Sequence, residues 1–383
     1  MKRILHLCNY TWETGGPPSV IYSHSKIQNE HNIEQHIYST PSISQNNYYL
    51  SSNQRLFIFK RSFFAKLLPD FSWKLFYTFL KNRLAFDFII SHGLWNFGSI
   101  LPYIIPNKAK KIITLHGFLD DYVLGKSIIS KKIFWIIIQK WCLSKADFIH
   151  IISKNELEFV KSNFPFLSSK LVYIPNGLAI EKSVKIIDKI FKAKIDKILF
   201  DSDLVFLYLG RLNKKKGLDL LIPAFTEFHS KYNLKAKLLL VGPDDGYKAF
   251  IKKILIRMEG DGNTNSIHLL DPVKNTEKAY LLEKCNVFIL PSYSEGFSIA
   301  ALEAIGYGIP GIYSNTIGFS DDIKEYEAGL ICDLNIQSIV DKMTLIASDS
   351  ELRESIKKNG IKLFNDKFKI ETVANQYIHQ ILT

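Results

Sequence analysis

The residues best placed to do chemistry are two acids within NVFILPSYSEGFSIAALEAIGYGIP, residues 286–310. A buried strand is expected to end at Leu290, a loop of small residues follows, and a helix is expected from about Ser298. The first amides of a helix have no intrahelical partner and lie at the positive end of its dipole. The backbone at Gly296, Phe297, Ser298 and Ile299 therefore makes an anion site suited to a diphosphate. Gly296 lets a phosphate approach the chain closely. Glu295 lies in the loop beside that anion, and Glu303, after seven intervening residues, projects from the helix about two turns further along. Ribose and hexose hydroxyls need oxygen acceptors, whereas the diphosphate between them needs donors. The pattern fits a nucleotide sugar, although two glutamates in a helical region are, taken alone, more often solvated surface groups.

Other candidates sit at comparable places. Arg211 and Lys216 follow VFLYLG at a strand's carboxyl end, where two cations can offset charge growing on a departing diphosphate. With Lys214 and Lys215 beside them, a basic turn before a helix is the simpler reading. Gly15 and Gly16 follow the first strand and precede a helix, so their amides can reach donor phosphates. They form no GxGxxG, and no acid stands at a dinucleotide-ribose distance, which argues against an NAD site. His116 ends KIITL before Gly117; a lone histidine is more often structural. Asp120 and Asp121 are acceptor-side candidates, with a helix cap as the simpler role. A DxD-type metal motif occurs as Asp201-Ser202-Asp203, but before a strand, which puts it at the wrong end of the sheet. That motif and the Asp244–Asp245 pair read as solvated, so neither a metal nor a cofactor is expected.

Positioning these groups requires a particular scaffold. The segments RILHLC, DFIIS, KIITL, DFIHIIS and LVYIP, then VFLYLG, KLLLVG, VFIL and IPGIYS, are short, apolar and β-branched, and longer helical patterns separate them. Two α/β domains with doubly wound parallel sheets are expected, each Rossmann-like, facing a central cleft at the carboxyl ends of their strands. A chain of 383 residues with 47% hydrophobic content accommodates both. The expected boundaries are 1–180 for an acceptor-side domain, 181–200 for a linker, 201–365 for a nucleotide-sugar domain and 366–383 for a terminal helix able to pack back on the first domain. From about Glu351 the chain reads as two amphipathic helices. Cys8, Cys142, Cys285 and Cys332 are widely spaced and read as reduced thiols. The opening MKRILHLCNY reaches Asn9 too soon for a signal-peptide core, so a cytoplasmic protein without a transmembrane helix is expected.

The motifs together resemble the family 4 glycosyltransferases, the large retaining GT-B group. PSYSEGFSIAALEAIGYGIP is similar to that family's PS..EGF...LEA...G.P signature with its paired glutamates. GRLNKKKGLDLLIPAF, KLLLVGPDD, LVYIPNGL and TGGPPSVI resemble further elements in the family's order. SHGLW and ITLHGFLDDYVLGKS resemble a branch that builds bacterial surface polysaccharides, such as O-antigen, capsule and exopolysaccharide. The resemblance implies a metal-independent, retaining transfer of a hexose or N-acetylhexosamine from a nucleoside-diphosphate sugar to a polyprenyl-diphosphate-linked oligosaccharide. It implies roles too: Arg211 and Lys216 as a diphosphate clamp, Glu295 positioning the sugar, and His116 beside the sugar where imidazole binds a hydroxyl. Two departures, GFSI for the commoner GFGL and TIGFSDDI for a glycine-richer run, bear on the phosphate pocket and on sugar recognition. Ser298 keeps the first of them small.

Charge points to a further partner. Residues 1–180 hold 21 Lys+Arg against 10 Asp+Glu, while residues 181–383 hold 28 against 27. An anionic counterpart for the first half, or general solubility charge, accounts equally for this. KRSFFAKLLPDFSWKLFYTFLKNR, Lys60 to Arg83, interleaves basic and aromatic residues as a peripheral membrane surface does. Trp73, Phe76, Phe79 and Leu80 are expected on one helical face, whose more ordinary fate is to pack on the sheet. Lys60 to Lys66 is the membrane-contact candidate. No nucleic-acid motif is present and the aromatics fall in buried patterns, so nucleic acid is not expected as a partner. The alternatives are a GT-B enzyme acting on a small soluble acceptor, or a non-enzymatic nucleic-acid-binding protein using the basic half.

Overall fold

The computed structural model describes residues 2–9, 21, 32–40, 54–66, 68–117, 119, 138–180, 187–232, 234–258, 266–273 and 275–382. The chain divides into two compact units, Met1–Ala179 with Lys367–Thr383, and Ile180–Asp366. The expected linker is not a separate segment: it holds the helix Lys189–Leu199, capped by the Asp188 side chain, within the second unit.

Among the described residues the first unit is built on seven parallel strands in the order β3-β2-β1-β4-β5-β6-β7. They are β1 Lys2–Cys8, β2 Ile33–Ser39, β3 Gln54–Ile58, β4 Phe88–His92, β5 Lys110–Thr114, β6 Phe148–Ile151 and β7 Leu171–Tyr173. Helix Trp73–Asn82 starts where the Ser72 hydroxyl accepts from the Leu75 amide at 3.4 Å. It buries Leu75 and Phe79 against Leu7, Ile89 and Phe97. Phe76 packs partly there, but Trp73 and Leu80 are exposed, so the four residues expected on one face divide between core and surface. The other side of the sheet is covered by helix Ile370–Ile381, whose Val373, Tyr377 and Ile381 pack on Ile4, Phe88, Ile90 and Ile112. Each such apolar side chain contributes roughly 1.5–3 kcal/mol on burial. The helix is joined to its unit by paired backbone bonds, Leu178 N to Phe368 O at 2.9 Å and Ile370 N to Leu178 O at 3.1 Å.

Among the described residues the second unit carries six parallel strands in the order β10-β9-β8-β11-β12-β13. These are β8 Leu204–Leu209, β9 Ala236–Val241, β10 Ile267–Leu270, β11 Val287–Leu290, β12 Gly311–Ser314 and β13 Leu330–Cys332. Strand order reverses between β8 and β11, which makes the carboxyl ends of those two strands the topological switch point where doubly wound sheets bind ligands. Among the described residues no helix is long and apolar enough to cross a membrane. Cys8, Cys142 and Cys332 are buried, Cys285 is partly buried, and none of the four is in a disulfide.

Candidate functional site

At the switch point of the second unit, two loops are locked together backbone to backbone. Gly217, at φ 69°, ends the turn Lys214–Lys216 and begins helix Leu218–Lys231. A Cβ there would lie 1.9 Å from the Pro291 carbonyl oxygen, so only glycine permits this left-handed turn to touch the loop after β11. The Tyr293 amide donates to the Lys215 carbonyl at 2.8 Å, and the Tyr293 hydroxyl donates to Asp219 at 3.0 Å. These contacts deliver the Lys216 ammonium to the Glu295 carboxylate, where the two form an ion pair.

Glu295 is held from its other side as well. The Gly318 amide donates to the Glu295 carbonyl at 2.8 Å, and the hydroxyls of Ser314 and Thr316 both donate to the Ser292 carbonyl. The Phe297 and Phe319 rings meet at 5.1 Å. Thus TIGFSDDI, the run that departs from the glycine-rich pattern, is the strut behind the Glu295 loop. Ser298 is the helix cap, its hydroxyl accepting from the Ala301 amide at 3.3 Å, and helix Ile299–Tyr307 follows. Glu303 faces Lys278, with Nζ to carboxylate oxygen at 2.6 Å. The structure therefore brings together Lys216, Glu295, Gly296, Phe297, Ser298 and Ile299, with Glu303 further along the same helix.

Arg211 stands at the same rim. Its guanidinium donates to Asp245 at 2.8 Å, and Asn213 donates to the same carboxylate oxygen at 3.1 Å. Asp244 accepts the amides of Tyr247 and Lys248, each at 3.0 Å; the Lys248 amide, then burial, then the Tyr247 and Gly246 amides set the balance that holds its carboxyl below the usual range. Asp244 and Asp245 are exposed, as expected of solvated acids, and each also has a partner: one caps a turn and the other pairs with Arg211. Asp201 and Asp203 lie at the amino end of β8, paired with the Lys235 side chain and backbone amide. That is the end of the sheet opposite the candidate site.

His116 lies in the first unit, two residues beyond the end of β5 at Thr114, at φ 54°, followed by Gly117 at φ 77°. A non-glycine residue in this region is strained and needs an external hold. Glu156 supplies it: its carboxylate accepts the Gly117 amide at 2.9 Å. Glu156 is buried, and Ser153 caps its helix, so a capping-type S-x-x-E is turned inward to grip the histidine turn. His116 Nε2 meets His92 Nδ1 at 3.0 Å, His92 Nε2 meets His6 Nδ1 at 3.0 Å, and His6 Nε2 meets Gln35 Oε1 at 2.5 Å. Burial pushes His6 down to about 4, against the opposing Gln35 bond. Sequence reasoning passed over Glu156, His92 and His6. The twin His-Gly steps, at residues 92–93 at the end of β4 and 116–117 beyond β5, were the available signal. Gly15, Gly16, Asp120 and Asp121 lie outside the described residues.

The model for Glycosyltransferase Family 4 matches residues 14–182, and that for Glycosyl transferases group 1 matches residues 190–363. The chain is 27% identical over 310 residues to a capsular polysaccharide biosynthesis glycosyltransferase of Staphylococcus aureus, covering 77% of this chain and 78% of that protein. It is 27% identical over 281 residues to the Escherichia coli UDP-Gal:alpha-D-GlcNAc-diphosphoundecaprenol alpha-1,3-galactosyltransferase, covering 70% of this chain and 69% of the other. Among solved structures, Anabaena HepE in complex with UDP and glucose superimposes with a TM-score of 0.75 at 14% identity, covering 99% of both chains. The fold is GT-B.

Proposed function

This chain belongs to the family 4 glycosyltransferases, and on that premise we propose that it transfers a hexose or N-acetylhexosamine from a nucleoside-diphosphate sugar to a polyprenyl-diphosphate-linked oligosaccharide. It acts in the synthesis of a cell-surface polysaccharide. The observation that carries this reading is the Lys216–Glu295 pair set beside the amino end of helix Ile299–Tyr307 at the switch point. The pair is mostly out of water, with side chains 13% and 14% exposed. A diphosphate arriving there finds the Lys216 charge and the helix amides, while Glu295 is left to accept a sugar hydroxyl.

In the reaction the bond from the anomeric carbon to the diphosphate oxygen breaks, and a bond to the acceptor oxygen forms on the same face. The acceptor proton passes to the departing diphosphate. Arg211 and Lys216 offset the negative charge released there. Glu295 and His116 position the sugar, and Glu303 accepts a ribose hydroxyl. No metal takes part in this scheme. The naming of UDP-Gal and a diphosphoundecaprenol acceptor in one relative, and of UDP in the HepE complex, supports the donor and acceptor classes.

The enzyme works on the cytoplasmic face of the membrane as a peripheral protein. Phe63, Phe64, Trp73 and Tyr77 are exposed and in edge or stacked contact, with Phe63–Phe64 at 6.2 Å, Phe64–Trp73 at 6.4 Å and Trp73–Tyr77 at 6.0 Å. Exposed Lys60, Lys74 and Lys81 belong to the same segment. Aromatic rings at the headgroup level with lysines toward anionic lipid suit this surface. A thermal-shift panel of uridine and guanosine diphosphates and their sugars tests the donor reading. Stabilisation by one base family is expected; indifference to all of them removes it.

A further inference from the structure

The histidines of the first unit form a line with a direction. Gln35 stands opposite Ile4, His6 opposite Ile90, and His92 opposite Thr114 in the strand registers. Each step from β2 to β1 to β4 crosses one strand and advances two residues, and the step beyond β5 reaches His116. All four side chains therefore leave the same face of the sheet and climb to its carboxyl rim. The His6 and His92 rings stack at 5.3 Å, as do those of His92 and His116. Gln35, His6 and His92 are buried, and four apolar residues would fill this space with less desolvation cost.

A neutral imidazole has one donor and one acceptor nitrogen. Three joined nitrogen to nitrogen must all point the same way, so the chain has two neutral states, and its inner end selects between them. Gln35 Oε1 accepts and cannot donate, so His6 Nε2 carries the proton and His6 Nδ1 accepts from His92 Nε2. His92 Nδ1 then accepts from His116 Nε2. We propose that Gln35, His6 and His92 are positioning residues that hold His116 as its Nε2–H tautomer, with Nδ1 the unprotonated atom of that ring. An imidazolium would put two donors on one ring and break the series; burial of His6 opposes it. The Glu156 bond to the Gly117 amide holds the turn that carries the ring.

The consequence for catalysis rests on the reading of His116 as a sugar-binding residue. In that tautomer Nδ1, which is buried in this structure, is the acceptor atom of the ring, so a substrate group that reaches it is selected as a donating hydroxyl over an ether or carbonyl oxygen. No net proton transfer is required.

The test uses the full chain labelled with nitrogen-15 in the histidine rings. Two- and three-bond proton–nitrogen correlations, recorded above the ordinary histidine titration range, read each tautomer, and His6→Asn, His92→Asn and His116→Asn assign the signals. The wild type is expected to show His116 protonated at Nε2 and bare at Nδ1. Gln35→Leu is expected to shift His116, two imidazoles away, toward the other tautomer and to lower kcat about tenfold with a smaller change in KM. Gln35→Glu, whose carboxylate also accepts from His6, is expected to keep the wild-type pattern. A protonated Nδ1 in the wild type or in Gln35→Glu overturns the proposal, as does a Gln35→Leu spectrum identical to wild type at His116. Should His116→Asn leave turnover intact while the tautomer pattern holds, the sugar-binding reading falls and the lock stands.

Discussion

The Lys216 ammonium and the Glu295 carboxylate, 79 residues apart in the chain, meet across the reversal point of the second sheet. Neither loop reaches this position alone: the Gly217 turn presses on the Pro291 carbonyl, and the Gly318 amide pins Glu295 from behind. Glu295→Gln keeps the shape and removes the charge. Turnover is expected to fall about 100-fold or more, with donor affinity changing far less. A variant that retains near-wild-type kcat contradicts the role of Glu295.

Gly217→Ala tests the hold on Lys216. The new methyl would collide with backbone and force a left-handed alanine, at a cost of about 2 kcal/mol or more. Urea unfolding should show a lower midpoint at unchanged slope, and the surviving folded enzyme should lose activity beyond its loss of stability.

Glu156→Ala leaves the Gly117 amide without its carboxylate and removes the support of a strained turn. A destabilisation of about 1–3 kcal/mol is expected. The His116 ring signals should broaden or shift while those of His150, on the next strand, stay in place; displacement of both sets would mean a general loss of the unit instead.

Stability should fall on acidification. Burial drives both His6 and His150 from 6.5 down to about 4, against single opposing bonds from Gln35 and from the Ile174 carbonyl. Their folded-state values lie below the unfolded ones, so the unfolded chain takes up protons that the native one refuses. The contribution is full above about pH 6.5, is lost progressively as pH falls, and is gone near pH 4. Each histidine accounts for roughly 2 kcal/mol between pH 7 and pH 5. Urea midpoints measured across that interval should drop, and His150→Gln should flatten the slope; a flat wild-type profile contradicts the burial argument.

Replacing Phe63 and Phe64, which are 80% and 50% exposed, by serine should leave the fold intact and weaken flotation on vesicles rich in anionic phospholipid. Flotation that is equal on neutral vesicles, or unchanged by the substitutions, removes the membrane surface.

Much of this architecture was legible because parallel strands buried on both faces are written as unbroken apolar runs, as in VFLYLG and DFIIS. Strands β2, β3, β10 and β13 escaped notice: IEQHIYS mixes polar and apolar residues because it carries Gln35 and Glu34, and LIC is three residues long. The paired glutamates were legible because a helix start, a glycine and two acids fall within one short stretch. Their lysines were less so: Lys278 meets Glu303 from another helix, across 25 residues. The histidine line is a tertiary object made from Gln35 on β2, His6 on β1, His92 on β4 and His116 beyond β5, and the His-Gly steps at 92–93 and 116–117 are its one local trace. The partner of Asp245 was illegible for the same reason, since Arg211 lies 34 residues away.

The central claim is that the loop at Glu295 and the helix behind it hold a nucleoside diphosphate with the help of Lys216. Isothermal titration of uridine and guanosine diphosphates into the full chain, wild type and Lys216→Ala, tests it most directly. Saturable heat with one of the two bases, weakened about tenfold or more by the substitution, is the predicted result. Absence of binding by both, or binding that Lys216→Ala leaves untouched, contradicts it.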